Sequence, residues 1–187
     1  MERWIRKRRI MRRYDLTASI YDMRYEAEQT AKIEAALKND TIKASGLVLD
    51  VGCGTGLLFQ HVAKKSEGVI GLDISKKTLT NAKKRAKEFR NVHLVLADAD
   101  LMPFSDGLFD GVYAFTVIQN MPNPDDTLAE MRNVARVGST VVVTGLKKCF
   151  SRDAFISLLE AAGFRVVRLE DEGNLKCFVA VCQTFHP

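Results

Sequence analysis

The chain has 187 residues, 47% of them hydrophobic and 27% charged, which is enough for one domain to bury a core without disulfides or a structural metal. No apolar run approaches the roughly 20 residues of a membrane-spanning helix, so the sequence predicts no membrane span. The four cysteines form no CxxC pair and have no histidine at metal-ligand spacing. We therefore expect a reducing, cytoplasmic compartment and no metal site.

The positive charge is concentrated in two stretches. Residues 1–13 carry seven Arg or Lys side chains against Glu2, and residues 76–90 carry seven against Glu88, so each stretch has a local charge of +6. Two basic blocks on an otherwise acidic chain favour a polyanionic partner. RNA fits better than a membrane because neither block has a broad apolar face. The alternative is a solvated helix face together with a disordered tail.

The N-terminal region is predicted to consist of a basic arm followed by a helical segment. We expect residues 1–13 to form a basic arm and residues 14–187 to form a single domain. Residues 14–38 contain no glycine or proline and are rich in helix-forming side chains, which predicts one or two helices.

The central motif is LVLDVGCGTGLL, residues 47–58. The short apolar run at its start is typical of a strand buried on both faces, and its end has helical character. Glycines between them admit a ligand close to the backbone, and free amide groups at a helix start attract anions. Asp50 stands two residues before Gly52, a DxGxGxG spacing that differs from the GxGxxG of dinucleotide-binding proteins.

Strands and helices alternate through the rest of the chain. The predicted strands are residues 47–51, 69–72, 92–97, 111–115 and 140–146. The predicted helices are residues 57–65, 76–89, 125–135 and 151–162. A hairpin of residues 164–169 and 176–182 follows. The alternation predicts a parallel sheet with right-handed crossovers.

Four segments resemble, in this order, the class I S-adenosylmethionine-dependent methyltransferases. They are the glycine loop, VIGLDIS with Asp73, HLVLADADLMPF with Asp98, and FDGVYAF. The YD pairs at Tyr14 and Tyr21 resemble the N-terminal segment of the type 11 branch. The resemblance covers about residues 47–145 and implies a Rossmann-like three-layer α/β sandwich, with a seven-stranded sheet in the order 3-2-1-4-5-7-6 and strand 7 antiparallel.

The same resemblance implies S-adenosylmethionine as the cofactor, beneath a helical segment of residues 14–45. The implied cofactor-binding residues are Asp50, Gly52, Cys53, Gly54, Gly56, Asp73, Ile74, Asp98, Ala99, Phe115 and Thr116. Asp50 would lie near the ammonium of the methionine end, and the glycine-loop backbone would hold that end. Asp73 would accept from the ribose hydroxyls, Ile74 would pack on the adenine, and Asp98 with the Ala99 amide would contact the adenine edge.

The acceptor side is defined by residues 116–122, TVIQNMP. Gln119 and Asn120 form hydrogen bonds but are poor general bases, and the loop has neither an NPPY-type motif nor a catalytic cysteine. We therefore expect an acceptor that is already nucleophilic, with Tyr21 and Asn120 as candidate catalytic residues.

The link between the fifth strand and the next helix is short, which predicts an open cleft. An open cleft suits a large acceptor, so we expect methyl transfer to RNA, either tRNA or rRNA. Two alternatives stay open: an acceptor that is a small metabolite or quinone-like lipid, and a non-catalytic subunit that binds S-adenosylmethionine.

The expected strand order places residues 92–97 at an edge of the sheet. This segment is almost wholly apolar and contains none of the charges, prolines or bulges that usually guard an edge. It therefore predicts pairing with a small activating protein subunit or with a second copy of the chain. The alternative is that another part of the same chain covers the edge.

Overall fold

The computed structural model describes residues 2–17, 21–38, 46–171, 173 and 175–185. Two N-terminal helices precede the sheet, α1 (Glu2–Thr17) and α2 (Tyr21–Leu37). The elements that follow are β1 (Leu47–Val51), α3 (Phe59–Val62), β2 (Gly68–Asp73), α4 (Lys76–Ala86), β3 (Val92–Leu96), β4 (Phe109–Ala114), α5 (Pro124–Val134), β5 (Ala135–Leu146), α6 (Arg152–Ala161), β6 (Phe164–Glu170) and β7 (Cys177–Thr184). Short 3-10 turns occupy Ala63–Lys65 and Ile118–Asn120.

The strands form one sheet in the order β3-β2-β1-β4-β5-β7-β6. Neighbouring strands from β3 to β5 are parallel, and β7 runs antiparallel to β5 and β6. The predicted strand order and the antiparallel seventh strand are thus confirmed. β5 begins at Ala135 rather than at residue 140, because its first residue pairs with Phe109 of β4 before the register shifts.

The sheet is buried on both faces, as the apolar run of β1 predicts. Leu49 and Val51 belong to a core shared with α5 and α6, whereas Val48 belongs to a core shared with α2, α3 and α4. The alternation arises because successive strand side chains point to opposite faces. The result is the three-layer α/β sandwich expected from the sequence.

Helix α1 runs without a break across residues 13 and 14, so the basic stretch is helical and joins the segment that follows it. It packs against α4 and contacts loops that follow β3 and β4. These contacts place α1 over the carboxyl edge of the sheet. Within the described ranges, every helix is too short or too polar to cross a membrane.

Candidate functional site

The glycine loop follows β1, which lies between β2 and β4 in the sheet. The strand order reverses at β1, because β2 and β3 lie on one side of it and β4 and β5 on the other. In open α/β sheets such a switch point leaves a crevice at the carboxyl ends of the strands. Gly52, Gly54 and Gly56 have φ angles of +63°, +58° and +83°, a region that only glycine adopts without strain. A Cβ on Gly52 would lie 2.8 Å from Val117 Cγ2, so the loop and the segment after β4 are in close approach.

Asp73, at the end of β2, fixes the glycine loop from the side. Its carboxylate accepts hydrogen bonds from the Gly54 amide at 3.0 Å and from the Ser75 amide at 2.8 Å. Burial raises the pKa of the Asp73 carboxyl, and the backbone donors only partly offset this effect. Each oxygen retains a lone pair that a ligand hydroxyl can use.

Asp50 is a buried carboxyl without a hydrogen-bond donor among the residues that the structure describes. It is 3% exposed, and its pKa is raised well above the ordinary value, by burial first and then by the nearby charge of Asp73. It lines a small recess beside the glycine loop together with Gln29 of α2 and Cys53. Burial also raises the pKa of the Cys53 thiol well above its ordinary value, which keeps the thiol protonated.

The larger cavity beside the loop, here called the glycine-loop pocket, is roofed by one face of α1. Its lining from α1 is Lys7, Ile10, Met11 and Tyr14, a spacing that puts the four side chains on one side of the helix. The opposite walls are supplied by the ends of β1 and β2 and by the loops after β3 and β4. The pocket is therefore mostly apolar, with carboxylates at its rim.

Ion pairs fasten α1 over this pocket. Lys7 Nζ lies 2.6 Å from Asp98 Oδ1 and 2.5 Å from Asp100 Oδ2, and Arg3 lies 2.6 Å from Asp126. Burial by itself would lower the pKa of Lys7, but Asp100 and Asp98 outweigh it and leave that pKa raised. Both oxygens of Asp98 accept from Lys7, so an adenine amine at this position would share the carboxylate with the lysine.

Tyr14, Thr116 and Asn120 form the far end of the pocket. Asn120 Nδ2 donates to Tyr14 Oη at 3.0 Å and to the Thr116 carbonyl at 2.7 Å. Thr116 has a φ angle of +63°, which is strained for a β-branched residue, and its amide donates to Thr144 Oγ1 at 2.7 Å. Burial raises the pKa of Tyr14, so its hydroxyl stays protonated at neutral pH.

The same three residues also line a second opening of about 800 Å³, here called the basic cleft. Helix α2 forms one wall through Tyr25, Glu28, Gln29 and Lys32, and residues 146–149 form another. Helices α1 and α2 line this side of the cleft and cover part of it, whereas Lys148 and Lys176 in its lining are exposed, so the expectation of an open cleft stays a prediction. The cover comes from the N-terminus of the chain rather than from an insertion after β5.

The implied cofactor residues gather around the glycine loop. The pocket lining includes Gly52, Gly54, Asp73, Ile74, Asp98, Ala99, Phe115 and Thr116, and the neighbouring recess adds Asp50 and Cys53. Gly56 lines neither, and a Cβ there would clash with the Phe59 ring. Of the two candidate catalytic residues, Asn120 lies at the junction of the two openings, whereas the Tyr21 side chain is outside the described part of the structure.

Several lining residues were not singled out from the sequence, notably Lys7, Gln29 and Lys32, whereas Tyr14 was marked only through its YD pair. The spacing of Lys7, Ile10, Met11 and Tyr14 carries a helical signal, but the many arginines between them obscure it. Nothing in the sequence connects Lys32 with Thr116, 84 positions away, although their side-chain atoms lie 3.2 Å apart.

The residues present fit S-adenosylmethionine. Asp50 is a buried carboxyl that needs a cation, such as an amino-acid ammonium, and a Cβ on Gly54 would point into open space beside the loop. Asp73 offers carboxylate oxygens for a ribose, and Ile74 with the apolar face of α1 forms a slot for a flat ring. No cluster of His, Cys, Asp and Glu suited to a metal ion occurs within the described ranges.

The fold is that of the class I methyltransferases, and the site has a pocket that fits their cofactor, S-adenosylmethionine. The sequence profile of a methyltransferase domain family matches residues 49–143, half of the chain. The chain belongs to this family, the type 11 branch of the class I methyltransferases.

Curated relatives share its sequence over the core. The chain is 34% identical over 135 residues to demethylmenaquinone methyltransferase of Tropheryma whipplei, which covers 72% of the chain and 55% of the relative. It is 32% identical over 146 residues to malonyl-[acyl-carrier protein] O-methyltransferase of a Marinomonas species, covering 76% and 53%. The chain thus spans about half the length of these relatives.

Solved structures share the fold over nearly the whole chain. A protein described as a methyltransferase, in complex with the Haloferax volcanii methyltransferase activator Trm112, gives a TM-score of 0.80 at 17% identity, covering 92% of this chain and 98% of that one. A SAM-dependent methyltransferase from Aquifex aeolicus gives 0.77 at 21% identity, covering 90% and 97%.

Proposed function

We propose that this protein transfers a methyl group from S-adenosylmethionine to a small acceptor bound in the basic cleft. The observation that carries the proposal is the junction formed by Tyr14, Thr116 and Asn120, which line both the glycine-loop pocket and the cleft. S-adenosylmethionine supplies an electrophilic methyl carbon on a sulfonium. The chain's task is to hold acceptor and methyl carbon in line, a contribution of roughly 7 to 11 kcal/mol in favourable cases.

The junction supports an acceptor that is nucleophilic without deprotonation. Glu28 is the one carboxylate among the described residues that line the cleft, and it is paired with Lys32 at 2.8 Å. Burial would raise the pKa of Glu28, but Lys32 outweighs burial and lowers it, which makes Glu28 a weak base. Tyr14 and Asn120 can orient an acceptor by hydrogen bonds.

The names of the relatives support a small acceptor. One is named for demethylmenaquinone, a small molecule, and another for a malonyl group on an acyl-carrier protein, where the methylated group itself is small. The cleft volume of about 800 Å³ lies within the range of about 300 to 1,000 Å³ that is usual for small-molecule sites.

RNA remains a second candidate because α1 is basic on its outward face. Arg6, Arg8, Arg9 and Arg12 are exposed, and they have no acidic partner within the described ranges. The lysines of α4 lie on the neighbouring helix. If RNA binds there, these four arginines would neutralise about four of its phosphates. The logarithm of the RNA affinity should then fall with the logarithm of the salt concentration with a slope of roughly −3.

Labelled cofactor separates the candidates. The protein is incubated with S-adenosylmethionine carrying a tritiated methyl group and with RNA, protein and metabolite fractions. Label in the metabolite fraction is expected, and Asp73→Ala should abolish most of it while Asp106→Ala, an exposed acid, should not. Label in RNA alone would replace the small acceptor with RNA. Cofactor binding without label in any fraction would support the non-catalytic subunit instead.

We further propose that a small activator protein adds a strand to β3. In the described part of the chain β3 pairs only with β2, so its other edge is unpaired, and Leu96 at its end is 57% exposed. An apolar open edge is suited to strand addition. The structural neighbour in complex with Trm112 supports a partner of this kind.

Light scattering tests the partner. The purified protein, mixed with a Trm112-type activator, should show the mass of a one-to-one complex, and Leu96→Lys should abolish it while Lys64→Glu, on an exposed turn, should not. If the measured mass in the mixture remains that of the single chain, the proposed binding of an activator is contradicted. A doubled mass of the protein alone, lost in Leu96→Lys, would indicate self-association instead.

A further inference from the structure

The basic cleft has an unusual charge composition for a small-molecule site. Five cationic side chains and a single carboxylate, Glu28, contribute to its lining: Arg13, Lys32, Lys147, Lys148 and Lys176. A concave surface of one sign concentrates ligands of the opposite sign. The cleft therefore favours an anion over a neutral molecule or a cation.

Acidic partners within the protein neutralise only part of this charge. Glu28 is shared by Lys32 at 2.8 Å and Lys176 at 3.4 Å, and Lys147 lies 2.9 Å from Asp171. Lys148 has no acidic partner in the part of the chain that the structure describes. Two lysines on one carboxylate, together with Lys148, leave the cleft positive.

The lysines are graded in depth. The Lys32 side chain is 1% exposed, that of Lys147 is 32% exposed and that of Lys176 is 78% exposed. Lys32 Nζ lies 3.2 Å from Thr116 Oγ1, so it reaches the junction with the glycine-loop pocket. The gradient gives the cleft an inner end at the junction and a mouth at Lys148 and Lys176.

Gln119 is a second, independent sign of a ligand. Its side chain lines the cleft, and both amide atoms are buried without a hydrogen-bond partner within the described ranges. A buried unpaired polar group costs about 1 to 3 kcal/mol, so such groups are usually satisfied. An acceptor in the cleft would supply the missing partners, because the amide both donates and accepts.

We propose that the acceptor carries a carboxylate or phosphate group, which Lys148 and Lys176 hold at the mouth of the cleft. Gln119 then contacts the body of the acceptor, and the reacting atom lies at the junction. A lone pair of that atom forms the bond to the methyl carbon as the carbon–sulfur bond breaks, and the electrons of that bond remain on sulfur. The anionic group is not consumed. The role of this anion as part of a methyl acceptor rests on the proposed function, whereas anion binding to the cleft can be measured independently of methyl transfer.

Nuclear magnetic resonance titration of the labelled protein tests the anion site. Inorganic phosphate and succinate are added with S-adenosylhomocysteine present, and sodium chloride of equal ionic strength is the reference. Saturable shifts are expected at residues 146–149 and at Gln119. The double variant Lys148→Ala, Lys176→Ala should weaken binding by roughly fivefold or more. The double variant Lys64→Ala, Lys87→Ala, which changes exposed lysines outside the cleft, should bind as the unmodified protein does.

Shifts that do not saturate, or equal weakening in both double variants, would overturn the proposal. S-adenosylhomocysteine binding is measured in the same samples, which separates the anion site from the proposed function. A protein that binds the anion but not S-adenosylhomocysteine would contradict the proposed function and leave the anion site standing. A 5′-phosphorylated oligonucleotide distinguishes the source of the anion. Shifts at residues 146–149 with this probe alone would support the site and assign the phosphate to nucleic acid. If every probe shifts only residues on the outward face of α1, the anion site in the basic cleft is contradicted.

Discussion

The glycine-loop pocket and the basic cleft share three residues, yet they are built in different ways. The pocket is formed largely by backbone: Gly52 and Gly54 with positive φ, two amides held by Asp73, and the ends of adjacent strands, with Gly56 supporting the loop from outside the lining. The cleft is formed by side chains that are far apart in sequence, from Lys32 on α2 to Lys176 before β7. Changes in the pocket should therefore disturb folding and cofactor binding, whereas changes in the cleft should alter acceptor choice at little cost in stability.

The largest expected effect is at Gly56, where backbone and packing coincide. Gly56→Ala places a Cβ against the buried Phe59 ring at a φ angle of +83°, so strain and overpacking should lower the free energy of unfolding by roughly 2 to 5 kcal/mol. Gly107→Ala is the control, because φ is +65° there but nothing lies within 4 Å of the added Cβ. If urea unfolding shows the same loss in the free energy of unfolding for both variants, packing against Phe59 adds nothing to the backbone strain at Gly56.

Asp73→Ala should produce the next largest effect, on cofactor affinity. The substitution removes the ribose acceptor and leaves the Gly54 and Ser75 amides without their partner, which should weaken S-adenosylhomocysteine binding by about 1 to 3 kcal/mol. Asp73→Asn retains one acceptor oxygen and should lose less. Calorimetry that finds unchanged affinity in both variants would remove Asp73 from the site.

Asp50→Asn should separate stability from binding. Burial raises the Asp50 pKa in the folded protein, so the folded state holds its proton more tightly than the unfolded chain does. Stability should therefore fall as pH rises from about 4, the unfolded value, towards the raised folded pKa. The variant should be more stable than the ligand-free parent at pH 8, bind S-adenosylhomocysteine more weakly and show a flatter dependence of stability on pH.

Urea unfolding at pH 5 and pH 8 measures this difference, with Asp106→Asn as an exposed control. A variant that is less stable than its parent at pH 8 would show that the Asp50 carboxylate is stabilised in the folded protein.

The smallest expected effect is on the cover formed by α1. Lys7→Met removes the ion pairs to Asp98 and Asp100, which should speed hydrogen exchange of the α1 amides by a factor of about 5, equivalent to roughly 1 kcal/mol. Arg6→Met changes an exposed neighbour on the same helix and should leave exchange unchanged. If both variants exchange alike, these ion pairs do not hold α1 in place.

The two regions also differ in how far the sequence predicts them. The strand order and the glycine loop follow from local patterns, because alternating apolar runs and the DxGxGxG spacing involve neighbours in the chain. The position of α1 does not, since its charges resemble a solvated arm until Asp98, Asp100 and Asp126 are brought beside Lys7 and Arg3. For the same reason the sequence indicates Asn120 as a candidate and Tyr14 through its YD pair, whereas the hydrogen bond between them and the approach of Lys32 to Thr116 follow only from the tertiary structure.

A crystal structure with S-adenosylhomocysteine and the identified acceptor tests the central claim most directly. We expect the amino-acid end on the glycine-loop backbone near Asp50 and the ribose on Asp73. The sulfur should face the acceptor atom at the junction of Tyr14, Thr116 and Asn120. A nucleoside bound outside the glycine-loop pocket, or a sulfur that faces away from the basic cleft, would contradict it.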